Sequence, residues 1–193
     1  MRARLLIAIA AMAVALGGCG SAEEPEPVVP RERADRPARL PAGWARVVNA
    51  RAGFSLGLPP GWAARGTGGT TVIRSADGGL AVSVTADRSL DGRTLSLVTY
   101  ARRTARSLPG YAGLRPGRAR TLRGARYPAV SVSTAGRFRR TGVRQAIRVI
   151  AMRRPRQVTF TLVFFRNART DARVYAEAGA VMVRSLRGRP PVF

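Results

Sequence analysis

The chain has 193 residues, a formal net charge of +24 and one cysteine, and its 34 basic residues are all arginine. Since the chain has no histidine and no lysine, imidazole bases, histidine metal ligands and Schiff-base amines are absent, which excludes most common hydrolases and metalloenzymes. We therefore expect no catalysis, no metal and no cofactor.

The first eighteen residues are typical of an export signal. Arg2 and Arg4 form a positively charged N-terminal region. An apolar run then extends from Leu5 to Leu16, and small residues precede a cleavage point. A helix that crosses a membrane needs roughly 20 apolar residues, and this run is shorter. Residues 1–18 are therefore predicted to be a signal peptide.

The only cysteine stands directly after this segment. Leu16-Gly17-Gly18-Cys19 resembles the lipobox of bacterial lipoproteins, in which an aliphatic residue and two small residues precede the cysteine. The resemblance implies a diacylated, palmitate-type lipid anchor on Cys19, and two acyl chains hold a protein stably on a membrane. We therefore expect the protein to be anchored at the extracytoplasmic face of the cell membrane. The alternative is a plain signal cut after Ala13-Val14-Ala15, which leaves a free thiol.

Residues 19–43 are predicted to be the lipidated cysteine followed by a disordered linker. From Gly20 to Gly43 the chain carries five prolines, five acids and four arginines, with few apolar side chains. Such a segment cannot bury enough surface to fold. Residues 44–193 are then a single domain, because about 150 residues suit one core.

The first part of the domain is predicted to form strands. Residues 45–49 give one strand, and Phe54, Leu56 and Leu58 alternate along a second strand with one buried face. The following Pro59-Pro60-Gly61 ends this strand. Trp62 is expected to fold back under the sheet as a core residue.

A hairpin is predicted next. Strands at 70–75 and 80–86 are joined about Asp77-Gly78, a dipeptide that readily adopts the positive φ angles of a tight turn. Gly66-Thr67-Gly68-Gly69 precedes the hairpin and lacks a phosphate-loop lysine, so it is expected to be a flexible loop.

The spacing of apolar residues then indicates a helix that begins after Thr94 as its cap and ends at Pro109-Gly110. Its buried positions are expected to be Leu95, Val98, Ala101 or Arg102, Ala105 and Leu108. The arginines Arg102, Arg103 and Arg106 lie toward the outside and form a candidate anion-binding patch. A solvated helix face is the alternative interpretation.

Three further strands and a closing helix complete the domain. Residues 118–122 lead into a strand at 127–134, and strands follow at 143–153 and 157–166. Because both sides of the last strand are apolar or threonine, it is predicted to be central and covered on two faces. Thr170 is expected to cap a helix whose buried stripe is Val174, Ala178, Val181, Met182 and Ser185, and residues 187–193 are expected to trail off.

The order of these elements resembles the PsbP-like fold. Residues 54–62, Phe-Ser-Leu-Gly-Leu-Pro-Pro-Gly-Trp, are similar to that group's recurring strand ending in proline, glycine and tryptophan, and the resemblance covers about residues 44–186. It implies an α+β fold in which an antiparallel sheet is flanked by helices, an α/β/α sandwich. Members of this group mostly act as non-catalytic docking or assembly factors.

The positive charge of the domain indicates which partners it attracts. Residues 44–193 carry 28 arginines against five acids, a net charge of +23. One interpretation of this excess is the arginine usage of a GC-rich genome with incidental attraction of anions, and the alternative is a dedicated anion site. In both cases the field attracts acidic lipids or anionic wall polymers. No nucleic-acid motif is present, and an exported chain does not meet nucleic acid, so we expect no nucleic-acid partner.

Two classes of function stay open. The first is a membrane-anchored envelope lipoprotein whose domain is an interaction or assembly module for an envelope protein. The second is a lipid or small-molecule binding module with a ligand held between sheet and helix. A carboxylate-pair hydrolase is not expected, because turns and helix starts account for the domain's acids.

Overall fold

The computed structural model describes residues 39–154 and 157–189. The predicted signal peptide, Cys19 and the linker as far as residue 38 lie outside the described residues. The strands are β1 (Ala45–Asn49), β2 (Phe54–Leu58), β3 (Ala63–Thr67), β4 (Thr70–Arg74), β5 (Leu80–Asp87), β6 (Tyr111–Ala112), β7 (Arg120–Thr121), β8 (Ala129–Phe138), β9 (Arg144–Arg154), β10 (Val158–Asn167) and β11 (Arg187–Gly188). The helices are α1 (Leu90–Thr94), α2 (Leu97–Arg106) and α3 (Ala176–Ser185), with a 3₁₀-helix at Ala172–Tyr175 before α3.

A large antiparallel sheet organises the domain. Its strand order is β3-β4-β5-β10-β9-β8, and β6 and β7 both pair with the outer edge of β8. The predicted central strand is confirmed, since β10 pairs with both β5 and β9 and is buried from Val158 to Phe164. The predicted hairpin about Asp77-Gly78 is also confirmed, as β4 and β5 pair in register from Thr70↔Thr85 to Arg74↔Ala81.

A second, smaller sheet packs against the first. Its order is β1-β2-β11, with both pairs antiparallel. The expectation that residues 187–193 trail off is wrong for Arg187 and Gly188, which form β11; the ladder continues where Arg189 N–H donates to Gly53 O at 2.7 Å. The expectation of one buried face for β2 is also wrong, because Phe54 through Gly57 are all buried between neighbouring layers.

Two hydrophobic cores lie on opposite faces of the large sheet. The first joins the large sheet to the small sheet and α3 through large side chains: Phe54, Leu56, Val82, Met152, Phe160, Leu162, Met182 and Leu186. The second lies under α2, where Ala101 and Ala105 contact Val132 and Val149 and have no exposed surface. The fold class is therefore α+β, with antiparallel sheets flanked by helices, as the sequence predicts.

The start of the mid-chain helix differs from the prediction. Thr94 ends the short helix α1, and Ser96 is the cap of α2, with its Oγ accepting from Thr99 N–H at 3.1 Å. Val98 was expected to be buried and is 40% exposed, because the helix begins two residues later than predicted and turns other positions toward the sheet. Ala101, Ala105 and Leu108 are buried as predicted.

The closing helix also starts differently. Asp171, not Thr170, caps the 3₁₀-helix by accepting from Arg173 N–H at 2.9 Å. A 3₁₀ turn has about three residues per turn, so the buried stripe is displaced from Val174 to Tyr175. Val174 is consequently 65% exposed, contrary to prediction, whereas Val181, Met182 and Ser185 are buried.

The glycine-rich stretch at 66–69 is not a flexible loop. Gly66 and Thr67 are the last residues of β3, and Gly68 and Gly69 form the two-residue turn to β4. Gly68 has a φ of +57°, and a two-residue hairpin turn of this kind requires such a positive φ. Separately, no helix in the described part of the chain is long and apolar enough to cross a membrane.

Candidate functional site

A groove between α3, the β4–β5 turn and the two tryptophans is the candidate functional site. Its volume is about 410 Å³. It is lined by Trp44, Trp62, Ser75, Ala76, Asp77, Val174, Tyr175, Glu177 and Ala178. We call it the aromatic groove. Both tryptophans of the chain line it, and both are only partly buried.

The two tryptophans reach the groove through matching turns. Pro41-Ala42-Gly43-Trp44 and Pro59-Pro60-Gly61-Trp62 each close with the tryptophan N–H donating to the proline carbonyl at 3.2 Å. Gly43 and Gly61 have φ angles of +77° and +74°, as the third position of a type II turn requires. A Pro-x-Gly-Trp sequence therefore delivers a tryptophan to the start of β1 and again to the start of β3.

Trp62 packs against the main core, as the sequence predicts, but it is only partly buried. Its remaining surface lines the aromatic groove. Its ring meets Tyr175 edge to face, with ring centroids 6.1 Å apart and planes at 78°. Such pairs stabilise by about 0.5–1.5 kcal/mol beyond burial, so the contact holds Trp62 in place while the residue stays partly exposed.

Asp77 is held firmly beside these rings. Its carboxylate accepts hydrogen bonds from Ser75 Oγ at 2.5 Å, from Tyr175 Oη at 2.5 Å and from Gly79 N–H at 3.0 Å. These bonds, that from Ser75 foremost, lower the pKa of Asp77 from 3.8 to about 2. The same bond to Asp77, followed by burial, raises the pKa of Tyr175, against weaker opposing effects of the Ser75 hydroxyl and the Arg166 charge. Asp77 is therefore ionised and fixed at neutral pH.

Glu177 is the second carboxylate of the groove. It is exposed in the first turn of α3, and no residue of the described part of the chain forms a hydrogen bond or ion pair with it. An ionised carboxylate only accepts hydrogen bonds. Two of the domain's five acids thus lie at one groove, and Glu177 has its acceptor capacity available to a donor from outside.

A second surface groove of about 360 Å³ lies between β1 and the β3–β4 hairpin. Its two buried polar side chains, Asn49 and Thr71, are already used internally. Asn49 Nδ2 donates to Thr71 Oγ1 at 3.0 Å, and its Oδ1 accepts from Ala52 N–H at 2.9 Å. This groove therefore offers less to a ligand than the aromatic groove.

The arginines of the candidate anion patch lie together on α2. Arg102, Arg103 and Arg106 are all exposed and face away from the sheet. Arg103 Nη1 donates to Asp91 Oδ2 at 2.6 Å, so part of its charge is already compensated. Their role in binding an anion stays a prediction, as does lipidation of Cys19, which lies outside the described residues.

The sequence does not predict that Trp44, Tyr175 and the two acids meet at one groove. The repeated Pro-x-Gly-Trp sequence was a usable signal, because two identical turns placing the chain's two tryptophans are a coincidence that a buried core does not require. The position of Tyr175 was not available, since it depends on the 3₁₀ start of the final helix.

The groove combines aromatic side chains with two carboxylates. Within residues 39–154 and 157–189, no three histidine, cysteine, aspartate or glutamate side chains come together in a way that could hold a metal ion. The aromatic groove presents ring faces and two carboxylates to solvent. It is therefore suited to an apolar group that also carries hydrogen-bond donors or positive charge.

Solved structures with the same fold identify the architecture of the domain. No protein-family model and no curated protein matches the sequence. The solution structure of cyanobacterial PsbP (CyanoP) from Synechocystis sp. PCC 6803 superposes with a TM-score of 0.54 at 12% identity, covering 90% of this chain and 98% of that one. The chain has the PsbP-like fold.

Two other structures share this PsbP-like fold. The Ran-binding protein Mog1p of Saccharomyces cerevisiae gives a TM-score of 0.52 at 12% identity, over 75% of this chain and 95% of that one. A protein of Bacteroides thetaiotaomicron VPI-5482 gives 0.52 at 12% identity over 76% of this chain. The chain spans about half of that protein's length, 49%. At these identities the likeness establishes the fold alone, so function must be argued from the site.

Proposed function

We propose that this protein is an envelope-tethered, non-catalytic interaction module: Cys19 carries the lipid anchor, and the PsbP-like domain docks a basic segment of another envelope protein in the aromatic groove. The observation that carries the proposal is the placement of both tryptophans at one open groove, beside Tyr175 and two carboxylates.

The composition of the groove favours a protein partner. Tryptophan and tyrosine are over-represented among the residues that dominate binding energy at protein interfaces. Here Trp44 and Trp62 keep exposed ring surface, and the turns and the Tyr175 contact hold them before any partner arrives. Such preorganisation lowers the entropic cost of binding.

The carboxylates select a basic side chain. Asp77 stays ionised and fixed, and Glu177 is unpaired among the described residues. A guanidinium or ammonium group between aromatic faces gains from the ring electrons and from the carboxylate at once. The remaining arginines of the domain repel the same group, but at about 0.15 M salt the Debye length of about 8 Å limits this repulsion to near neighbours.

Known proteins of the same fold support an interaction role by analogy. Mog1p is described as a Ran-binding protein, so this architecture serves protein recognition in at least that case. The absence of histidine and lysine from the chain supports the non-catalytic part of the proposal.

The lipid-binding alternative needs a gap between the sheet and a helix. The described contacts under α2 argue against a gap there, because Ala101 and Ala105 have no exposed surface against Val132 and Val149. Mass spectrometry of an organic extract of the purified protein tests this alternative. A stoichiometric lipid other than the anchor would favour it over the interaction module.

Tryptophan fluorescence tests the groove directly, because both tryptophans of the chain line it. The probe is an extended peptide of proline and arginine, compared with a matched peptide in which glutamate replaces every arginine, at about 0.15 M salt. We expect a saturable spectral change with the arginine peptide only. Equal binding of the glutamate peptide would contradict the proposal.

Matched variants sharpen this measurement. Glu177→Gln should weaken binding of the arginine peptide about two- to fivefold, as expected for one partly exposed ion pair. Asp91→Asn removes the same charge on the opposite side of the sheet, where Asp91 pairs with Arg103, and should leave binding unchanged. If the two variants weaken binding equally, the attraction comes from overall charge and not from the groove.

The anchor has its own test. Intact mass of the native protein should show a chain that begins at Cys19 and carries acyl chains. Cys19→Ala should move the protein from the membrane pellet to the soluble fraction. A variant that stays in the pellet as the parent does would overturn the anchor while leaving the groove hypothesis standing.

A further inference from the structure

Strands β7, β8 and β9 bring two arginines and two serines together on one face of the large sheet. Arg120 lies opposite Ser131 in the β7–β8 pair, and Ser133 lies opposite Arg148 in the β8–β9 pair. Residues directly opposite each other in an antiparallel pair point to the same face. Ser131 and Ser133 share that face because side chains alternate along a strand.

A hydrogen bond fixes the orientation of the central arginine. Arg148 Nε donates to Ser131 Oγ at 2.9 Å, so the guanidinium extends across β8 toward the strand that carries Arg120. The charge of Arg120, after the larger effect of burial, lowers the pKa of Arg148. Two like charges are thus held within interaction range on a rigid sheet.

No carboxylate of the described chain offsets this pair. The sequence contains no aspartate or glutamate between Asp91 and Asp171, and strands β6 to β10 all fall within that interval. The one salt bridge within the described ranges, Arg103 to Asp91, belongs to α1 and α2. Adjacent guanidinium groups without acids are a common arrangement for binding a phosphate, which can accept hydrogen bonds from both.

We propose that Arg120 and Arg148, with the hydroxyls of Ser131 and Ser133, form a binding site for a phosphate group. The serines add neutral donors beside the two guanidinium groups, and Ser133 is exposed next to Arg148. The site is distinct from the aromatic groove and from the arginines of α2. At a membrane or cell wall, such a phosphate comes from an anionic lipid headgroup or from a phosphodiester polymer, and the chemistry of the site is the same for both.

A comparison of two double variants tests the site against the overall charge. Arg120→Gln with Arg148→Gln removes two charges at the site, and Arg139→Gln with Arg140→Gln, here called the turn variant, removes two exposed charges in the β8–β9 turn, outside every candidate site. The full chain with Cys19→Ala is used throughout, so that acyl chains do not mask the result. Binding of pyrophosphate is followed by calorimetry in every variant, and by the Nε–Hε NMR signal of Arg148 in the variants that keep this arginine.

We expect the site variant to lose at least about tenfold in affinity, which corresponds to about 1.4 kcal/mol, and the turn variant to lose less than about twofold. Equal losses in both variants would overturn the proposal, because pyrophosphate would then respond to net charge alone. Because Arg148 bonds Ser131, its substitution can disturb folding; Arg120→Gln alone alters an exposed side chain and should still lose severalfold in affinity. An unchanged affinity of that single variant would also count against the site.

Two further arms identify the source of the phosphate. Vesicles containing phosphatidylglycerol, compared with neutral phosphatidylcholine vesicles, test the lipid headgroup, and a soluble poly(glycerol phosphate) tests the polymer. The site variant should lose binding in the arm that corresponds to the natural ligand, and the turn variant should not. Retention of full binding by the site variant in both arms would overturn the proposal.

Discussion

The backbone N–H of Gly57 donates a hydrogen bond of 2.8 Å to Ser185 Oγ, 128 residues further along the chain. Gly57 lies on β2 beyond the short partner strand β11, which pairs only with Phe54 and Ser55. The hydroxyl of Ser185, at the end of α3, therefore takes the place of a strand partner for a buried N–H. The bond ties the small sheet to the closing helix.

Ser185→Ala should destabilise the domain by about 1–3 kcal/mol, because it leaves the Gly57 N–H buried without a partner. Denaturant unfolding monitored by tryptophan fluorescence measures the change. Ser133→Ala is the matched control, since Ser133 is exposed, and it should stay within about 0.5 kcal/mol of the parent. Equal stability of Ser185→Ala and the parent would show that water replaces the hydroxyl.

Gly57→Ala should destabilise the domain and alter its tryptophan spectrum. A Cβ at Gly57 would lie 2.7 Å from Leu40 Cδ2 and 3.2 Å from Trp44 Cε3, so both side chains must shift. Overpacking of this kind costs about 1–3 kcal/mol. Gly69→Ala is the control, because nothing lies within 4 Å of its added Cβ and its φ is not positive. A normal spectrum for Gly57→Ala would mean that Trp44 is not held by this contact.

Because of Asp77, the free energy of unfolding should fall as the pH is lowered in the acidic range. Its pKa is lowered from 3.8 to about 2 in the folded state, so its contribution is complete above about pH 4 and is lost as the pH falls through 2. In Asp77→Asn the stability should fall less steeply between pH 4 and 2 than in the parent, as measured by urea unfolding across that range. Tyr175→Phe, which removes one of the three donors, should give intermediate behaviour.

The ion pair of Arg103 and Asp91 should contribute little to stability. Its atoms are 2.6 Å apart, but the two side chains are 67% and 52% exposed, and exposed pairs contribute about 0.2–1 kcal/mol. Asp91→Asn should therefore change the free energy of unfolding by less than about 1 kcal/mol. A larger loss would indicate that the pair organises α1 against α2, and Asp91→Asn would then be unsuitable as the charge control for the groove.

Local patterns predicted most of the strands because their causes are local. The alternation in Val158–Asn167 and the Asp77-Gly78 turn fix β10 and the β4–β5 hairpin through side-chain periodicity and turn conformation. Helix starts were less accurate, since Thr94 and Ser96 are both acceptable caps and the packing of Ala101 and Ala105 on the sheet selects Ser96.

The candidate sites depend on relationships that no local pattern contains. The Pro-x-Gly-Trp turns of Trp44 and Trp62 can be recognised in the sequence. The contact of these residues with the same groove as Tyr175, however, requires the small sheet and α3 to pack together. The nearness of Arg120 and Arg148 likewise follows from strand register, and a shift of one residue would turn one of them to the other face.

The sequence by itself determined the periods of the strands, the turns that hold both tryptophans, the excess of arginine and the lack of histidine and lysine, because each of these is a property of neighbouring residues or of composition. Only the tertiary structure decided that Tyr175 is buried instead of Val174, that Ser185 completes the ladder of β2, and that two acids lie beside two tryptophans. These contacts join residues far apart in the chain, and their free energy arises from packing between layers that form only when the whole domain folds.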